Sequence, residues 1–246
     1  MRIDIWSDIV CPFCYVGKRN LEQALAEFEH RDEVEVVWHS FELDPSATEY
    51  PAGSLPELIA SKYQMPLEQA IASQESLAAR AREVGLDFKW RQARYGNTFD
   101  AHRVIHYAAE QGLASAAEEA FKLAYFTQGR SVQDHESILD IASEIGLDTA
   151  EVEAVLKSDR YAADVRADEQ LARQLGINGV PFFLIESKWA VSGAQPAKML
   201  VQALRQVWEE THRVEFLNPL AGAAGDAAGD GAAEAGPSCD MNGNCS

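Results

Sequence analysis

Residues 5–14 read Ile5-Trp6-Ser7-Asp8-Ile9-Val10-Cys11-Pro12-Phe13-Cys14, a β-prone run that stops at a cysteine, with a proline next and a second cysteine one helical turn on. Proline is well tolerated at the first position of a helix, where its missing N–H would have no partner anyway. Ile3 and Ile5 alternate with polar neighbours, and Leu21, Leu25 and Phe28 fall on one face of the stretch that follows. The segment therefore predicts strand, cysteine pair, helix. At that seam the unpaired backbone N–H groups and the positive end of the helix dipole point at the Cys11 sulfur, which favours its thiolate. A thiolate there is both a competent attacker and a good leaving group. Cys14, one turn inside, is predicted to be more shielded and to act as the resolving thiol. The competing reading of the same spacing is half of a zinc site, which needs two further ligands. No second C-x-x-C supplies them, and His30, His39, His102, His106, His135 and His212 are scattered. His102 and His106, four apart, lack a third ligand and read as ordinary helix-face residues. No metal and no cofactor is expected.

Outward from this point, Val34 to Phe41 is rich in β-branched and aromatic residues and closes at Asp44-Pro45, which predicts a buried strand. From about Leu55 to Leu175 the period becomes helical. Pro66 and Gly85 bracket one helix, Ser115-x-x-Glu118 and Asp148-x-x-Glu151 resemble capping boxes, and Gly112, Gly146 and Gly176 each follow a periodic run. Five or six short helices are expected. Strand signals return at Val180 to Ile185 and, after the polar turn Glu186-Ser187-Lys188, at Trp189 to Ser192, as in a hairpin. Pro196 opens a last helix with Leu200, Leu204, Val207 and Trp208 on one face. The order is α/β: β-α-β, a large all-helical insertion, then β-β-α. It divides the chain into 1–54 with 176–215, an insertion over 55–175, and a tail over 216–246. Ala221 to Ser238 contains only Ala, Gly, Asp, Glu, Pro and Ser, a composition that cannot bury enough surface to offset its ordering entropy. A flexible tether is expected there.

The chain has 246 residues, 47% hydrophobic and 24% charged, which suits a packed core and excludes disorder as the main state. Its formal charge of −18 repels phosphate backbones and anionic membrane surfaces, so neither nucleic acid nor membrane is an expected partner. No apolar run approaches the ~20 residues that span a bilayer. Met1 to Asp8 carries acids where a signal peptide needs a long apolar stretch, which points to the cytoplasm. The four cysteines form two close pairs, Cys11/Cys14 and Cys239/Cys245. In a reducing compartment such pairs are catalytic or metal-binding more often than structural.

Gly179-Val180-Pro181 places a proline at the head of an apolar strand, where it demands a bulge, an edge or a cis bond. With the cysteine pair after the first strand and the helical insertion, this pattern resembles the DsbA family of thioredoxin-fold proteins. Within that family it looks like the cytoplasmic FrnE branch, also grouped with 2-hydroxychromene-2-carboxylate isomerases. The resembling stretches are residues 7–14, Phe41-Glu42-Leu43-Asp44-Pro45, Asn97-Thr98 with Ala101-His102-Arg103, Gly179-Val180-Pro181 and Val191-Ser192-Gly193-Ala194-Gln195.

The resemblance implies a thiol–disulfide oxidoreductase or protein disulfide isomerase that acts on cysteine-containing proteins or peptides, with glutathione as a further partner. It implies a cis Val180-Pro181 bond beside the cysteines, the Val180 main chain pairing with substrate, and Val180, Pro181, Pro12 and Phe13 on the substrate side. Phe13 stands where periplasmic DsbA proteins have the histidine of Cys-Pro-His-Cys, which removes a possible imidazolium beside the nucleophile. Cys11 stands where the hydroxychromene isomerases and kappa glutathione transferases have serine, which favours redox chemistry. The alternative is a glutathione-dependent isomerase or transferase on a small aromatic substrate, with Asn97-Thr98 either lining its site or capping a helix. A non-catalytic metal-binding or thiol-buffering protein is a third reading. Some FrnE-like proteins are similar in a second cysteine pair near the C-terminus. Cys239 and Cys245 flank Asn242-Gly243, a turn signal, and a tether of about 19 residues spans roughly 22–26 Å. They are either auxiliary redox residues, a spectator tail or a weak metal clip. The sequence leaves the oligomeric state open.

Overall fold

The computed structural model describes residues 1–47 and 53–213. Residues 1–211 form one compact unit. Its sheet has four strands, β1 (Arg2–Ser7), β2 (Glu35–Ser40), β3 (Phe182–Ile185) and β4 (Trp189–Ser192), in the order β2-β1-β3-β4. β1 runs parallel to β2 and antiparallel to β3, with Ile5 opposite Trp38 on one side and Phe183 on the other. The parallel pair requires a crossover, supplied by α1 (Pro12–Glu27). β3 and β4 form the expected hairpin, with Glu186 and Ser187 at positive φ in its turn. This is a mixed α/β fold of thioredoxin type.

Two corrections concern the sheet. β2 lies at its edge and is only partly buried along most of its length, because β1 takes the central place beside it. β1 alternates in chemistry but not in burial, since helices cover both faces: Asp4 and Trp6 are as buried as Ile3 and Ile5. Ile3, Ile5, Phe183 and Ile185 pack on Leu21 and Ala24 of α1 and on Leu200, Leu204 and Val207 of α9 (Ala197–Thr211). On the other face Trp6 packs on Ala172 and Ile177.

Between the sheet halves lie seven helices among the described residues, rather than five or six: α2 (Leu55–Lys62), α3 (Leu67–Glu83), α4 (Phe99–Glu110), α5 (Ala114–Leu123), α6 (His135–Glu144), α7 (Thr149–Leu156) and α8 (Ala162–Gln174). A Ser54/Glu57 capping box starts α2 as a helix of its own, separated from α3 by Gln64 at positive φ. Asp148 caps α7 as expected, accepting from the Ala150 and Glu151 amides. Ser115-x-x-Glu118 is not a capping box: α5 begins at Ala114 with Leu113 as its N-cap, two residues before a box headed by Ser115 would start it, Ser115 Oγ accepts from Trp38 Nε1, and Glu118 turns inward. Val104, Ala108, Phe121, Tyr125, Ile138 and Val152 join the helices in one apolar core. Ile9 and Tyr15, flanking the cysteines, belong to that core, so the start of α1 is anchored in the helical layer.

Candidate functional site

β1 ends at Ser7, and the chain turns through Asp8, Ile9 and Val10 into α1. Cys11 caps that helix in extended conformation, Pro12 takes its first position, and the Cys11 carbonyl accepts from the Cys14 and Tyr15 amides at 3.1 and 3.3 Å. Across from it the Val180-Pro181 peptide is cis. In its thiol form Cys11 Sγ donates to the Val180 carbonyl oxygen, 3.6 Å away. Pro181 packs on α1 over Gly17, whose missing β-carbon leaves the space.

Both cysteines are free thiols. The expected contrast in shielding between them is absent: Cys11 is 3% exposed and Cys14 1%. What separates them is position, because Cys11 lines a cavity and Cys14 does not. It also separates them electrically. The Cys14 thiol donates to the Cys11 sulfur and holds it below the ordinary cysteine range; burial and Asp8 oppose this, while the Cys14 amide and Lys122 assist. Burial pushes the Cys14 thiol well above that range. One sulfur is thus poised as the anion and its neighbour as the proton-bearing donor.

Beneath the pair lies a buried charged network that sequence reasoning missed. Lys122 Nζ, fully buried, pairs with Glu118 and donates to Ser7 Oγ at 3.0 Å and to the Asp8 carbonyl at 3.3 Å. Burial opposes its charge, but Glu118 and the Cys14 sulfur raise its pKa. Asp8 accepts from the Leu43 amide at 2.8 Å and meets His102 Nε2 at 3.4 Å. His102 is fully buried, not an ordinary helix-face residue, and Asp8 raises its pKa against the effect of burial. His106 Nε2 lies 3.2 Å from Asp168 and 3.1 Å from Ser40 Oγ, so it too faces the sheet. A signal existed in the sequence: Glu118 and Lys122 lie four apart on the stripe beside Ala117 and Phe121, where an amphipathic helix presents apolar residues.

The cavity has a volume of about 610 Å³. Cys11, Val180, Tyr95, Tyr125 and Phe126 form part of its wall, and α2 and α3 supply another part through Ile59, Leu77 and Arg80. Phe13, Leu43 and Tyr63, all at least 42% exposed, ring it with apolar surface. Of the residues expected at the site, Cys11, Pro12, Phe13 and Val180 line this cavity, with Cys14 and Pro181 packed against them. Asn97, one residue before the N-cap Thr98, accepts through Oδ1 from the Phe99 amide at 2.9 Å, a local turn onto the first residue of α4, while Thr98 makes no side-chain capping bond and the Asn97 amide reaches Glu42. Cys239 and Cys245 lie outside the described residues.

Strand, cysteine pair, helix and the proline opposite define a thioredoxin-fold dithiol site. The profile of the DSBA-like thioredoxin domain matches residues 2–205. The chain belongs to that family. A probable DsbA oxidoreductase from Streptomyces coelicolor is similar to it over 100% of this chain and 98% of its own, with 42% identity and a TM-score of 0.83. A 2-hydroxychromene-2-carboxylate isomerase shares the fold at 17% identity, TM-score 0.63, over 86% of this chain and 98% of its own. The cytosolic disulfide reductase DsbM from Pseudomonas aeruginosa does so at 18% identity, TM-score 0.58, over 84% and 100%. No helix among the described residues is long and apolar enough to cross a membrane.

Proposed function

We propose that this oxidoreductase-family chain exchanges disulfides with cysteine-containing proteins or peptides in the cytoplasm, through Cys11 and Cys14. The carrying observation is the Cys11 sulfur, held toward its anion by Cys14 and set in a cavity wall against the Val180 carbonyl. The Cys11 thiolate attacks a substrate disulfide, forming a Cys11–substrate disulfide and expelling one substrate thiolate, which takes up a proton. Cys14 gives up its proton and attacks Cys11 Sγ, forming the Cys11–Cys14 disulfide and releasing the second substrate thiol. The substrate gains two electrons and the protein loses them; the reverse sequence oxidises a substrate dithiol. Val180 and Pro181 present main chain to the substrate, and Pro12 and Phe13 flank it. The reduced protein is expected to cleave the disulfides of insulin, and Cys11→Ser to abolish this. Retained cleavage in that variant would overturn the reading.

Exchange between the Cys11/Cys14 pair and Cys239/Cys245 is part of this proposal, supported by the composition and reach of the tether. Cys14→Ser is expected to trap a Cys11–tail adduct that peptide mapping by mass spectrometry reveals. No adduct, with unchanged turnover after removal of residues 216–246, would remove this part.

A second reading, a glutathione-dependent isomerase on a small aromatic substrate, is supported by the size of the cavity and its Tyr95, Tyr125 and Phe126 wall, which suit a small ligand. A Cys11→Ser variant that keeps isomerase turnover while losing disulfide cleavage would favour it.

A further inference from the structure

The cavity is at odds with the chain around it in one respect, its charge. The protein carries 39 acidic residues against 21 basic ones, yet among the described residues no aspartate or glutamate lines this cavity, and two cations, Lys62 and Arg80, do. They are not equivalent. Lys62 Nζ is matched by Asp44 at 3.3 Å, a carboxylate that also accepts from Tyr95 Oη at 3.0 Å. Arg80 makes no ion pair among the described residues. It projects from the stripe of α3 formed by Ser73, Ser76, Leu77 and Arg80, spaced three and four apart, which turns one polar and cationic face to the cavity that holds Cys11. Apart from Gln74 and the tyrosine hydroxyls, the rest of the wall and rim is largely apolar, with Phe13, Leu43 and Tyr63 exposed around it. A guanidinium with no bonding partner among the described residues, beside such a surface, matches a carboxylate carried next to a large apolar group.

We propose that Arg80 is a specificity-determining residue: the site selects disulfide-bonded peptides that carry an acidic side chain together with an aromatic or large aliphatic one close to the cysteine. This rests on the thiol–disulfide reading above and adds the class of substrate. The net charge of −18 repels acidic peptides at long range, so the preference depends on this local pairing.

The test uses the reduced full-length protein and two fluorophore-quencher peptide disulfides, identical with Phe next to the cysteine and differing only in Glu or Gln two residues further on. The Glu peptide is expected to react about three- to fivefold faster at low salt, the range of a partly exposed ion pair. The difference should lie in the half-saturating concentration and not in the limiting rate. High salt should erase it, Arg80→Gln should bring the ratio of the two peptides to about one, and Arg80→Glu should invert it. Equal rates for the two peptides with wild-type protein, or a ratio that persists in Arg80→Gln, would overturn the proposal while leaving disulfide exchange intact. Failure to cleave either peptide would overturn both.

Discussion

Pro181 Cγ occupies the space that a β-carbon at Gly17 would need: built on the backbone, that atom would stand 2.8 Å from it and 3.4 Å from Phe183 Cζ. A glycine inside a helix forgoes about 1 kcal/mol of propensity relative to alanine. Here it lets α1 approach the segment that faces Cys11. Gly17→Ala is therefore a contest between propensity and overpacking, which costs roughly 1–3 kcal/mol in a filled core. Because the clash meets a rigid ring backed by a strand, overpacking is expected to win. The variant should lose about 1 kcal/mol in urea unfolding and about tenfold in disulfide-exchange rate, as Pro181 is displaced from the reacting sulfur. A variant as stable and as fast as wild type would show that this contact is not needed.

The ionisation of Cys11 is expected to depend on its neighbour more than on the helix. Cys14→Ala removes the thiol that donates to the Cys11 sulfur, the largest influence on it, and should raise the Cys11 pKa toward the ordinary cysteine range. Lys122→Met should move it the same way by a smaller amount. The pH dependence of iodoacetamide alkylation at Cys11 measures both. An unmoved profile in Cys14→Ala would transfer the credit to the helix terminus.

The buried Lys122–Glu118 pair sits under Cys14 with its charges matched. Removing one partner leaves an uncompensated buried charge, so Lys122→Met is expected to destabilise by about 3–5 kcal/mol, and adding Glu118→Gln should recover a large part. Denaturant titration of both variants tests this. A double variant no more stable than the single would mean the lysine acts through Ser7 and Asp8 instead.

His39 bridges Asp4 at 2.7 Å and Asp168 at 2.6 Å, stacked on Trp6. Burial opposes its protonation, but bonds to Asp168 and Asp4 raise its pKa above the usual 6.5. A base whose folded pKa is raised contributes stability in full below the unfolded pKa and loses it as pH rises through the folded one. Asp168 is shifted down: burial works against ionisation, but His106 and His39 outweigh it. Its contribution is present above the unfolded carboxylate pKa and is lost as pH falls through the folded one. Stability from this triad should thus be greatest from about pH 4 to about 6.5 and should decline above it. Thermal denaturation against pH should show that decline in wild type and a shallower one in His39→Asn. Parallel curves would remove the triad as the cause.

The sequence of elements along the chain, the cysteine pair at the start of α1, the proline-led hairpin and the amphipathic final helix were legible in the chain, because each is encoded locally by periodicity, proline and turn residues. Not legible were the edge position of β2, the burial of Asp4 in a strand that alternates like a half-exposed one, and the inward turn of Glu118. These follow from which elements pack on which faces, and no local pattern records that. The same holds for Cys11: the sequence by itself determined that a cysteine would stand at a helix start with another one turn on. Only the tertiary structure decided that both would be buried almost equally, that Cys14 and Lys122 would set the ionisation, and that Arg80, far along the chain, would share the cavity. Electrostatic effects act over a few ångströms of space, and residues brought that close by folding are remote in sequence.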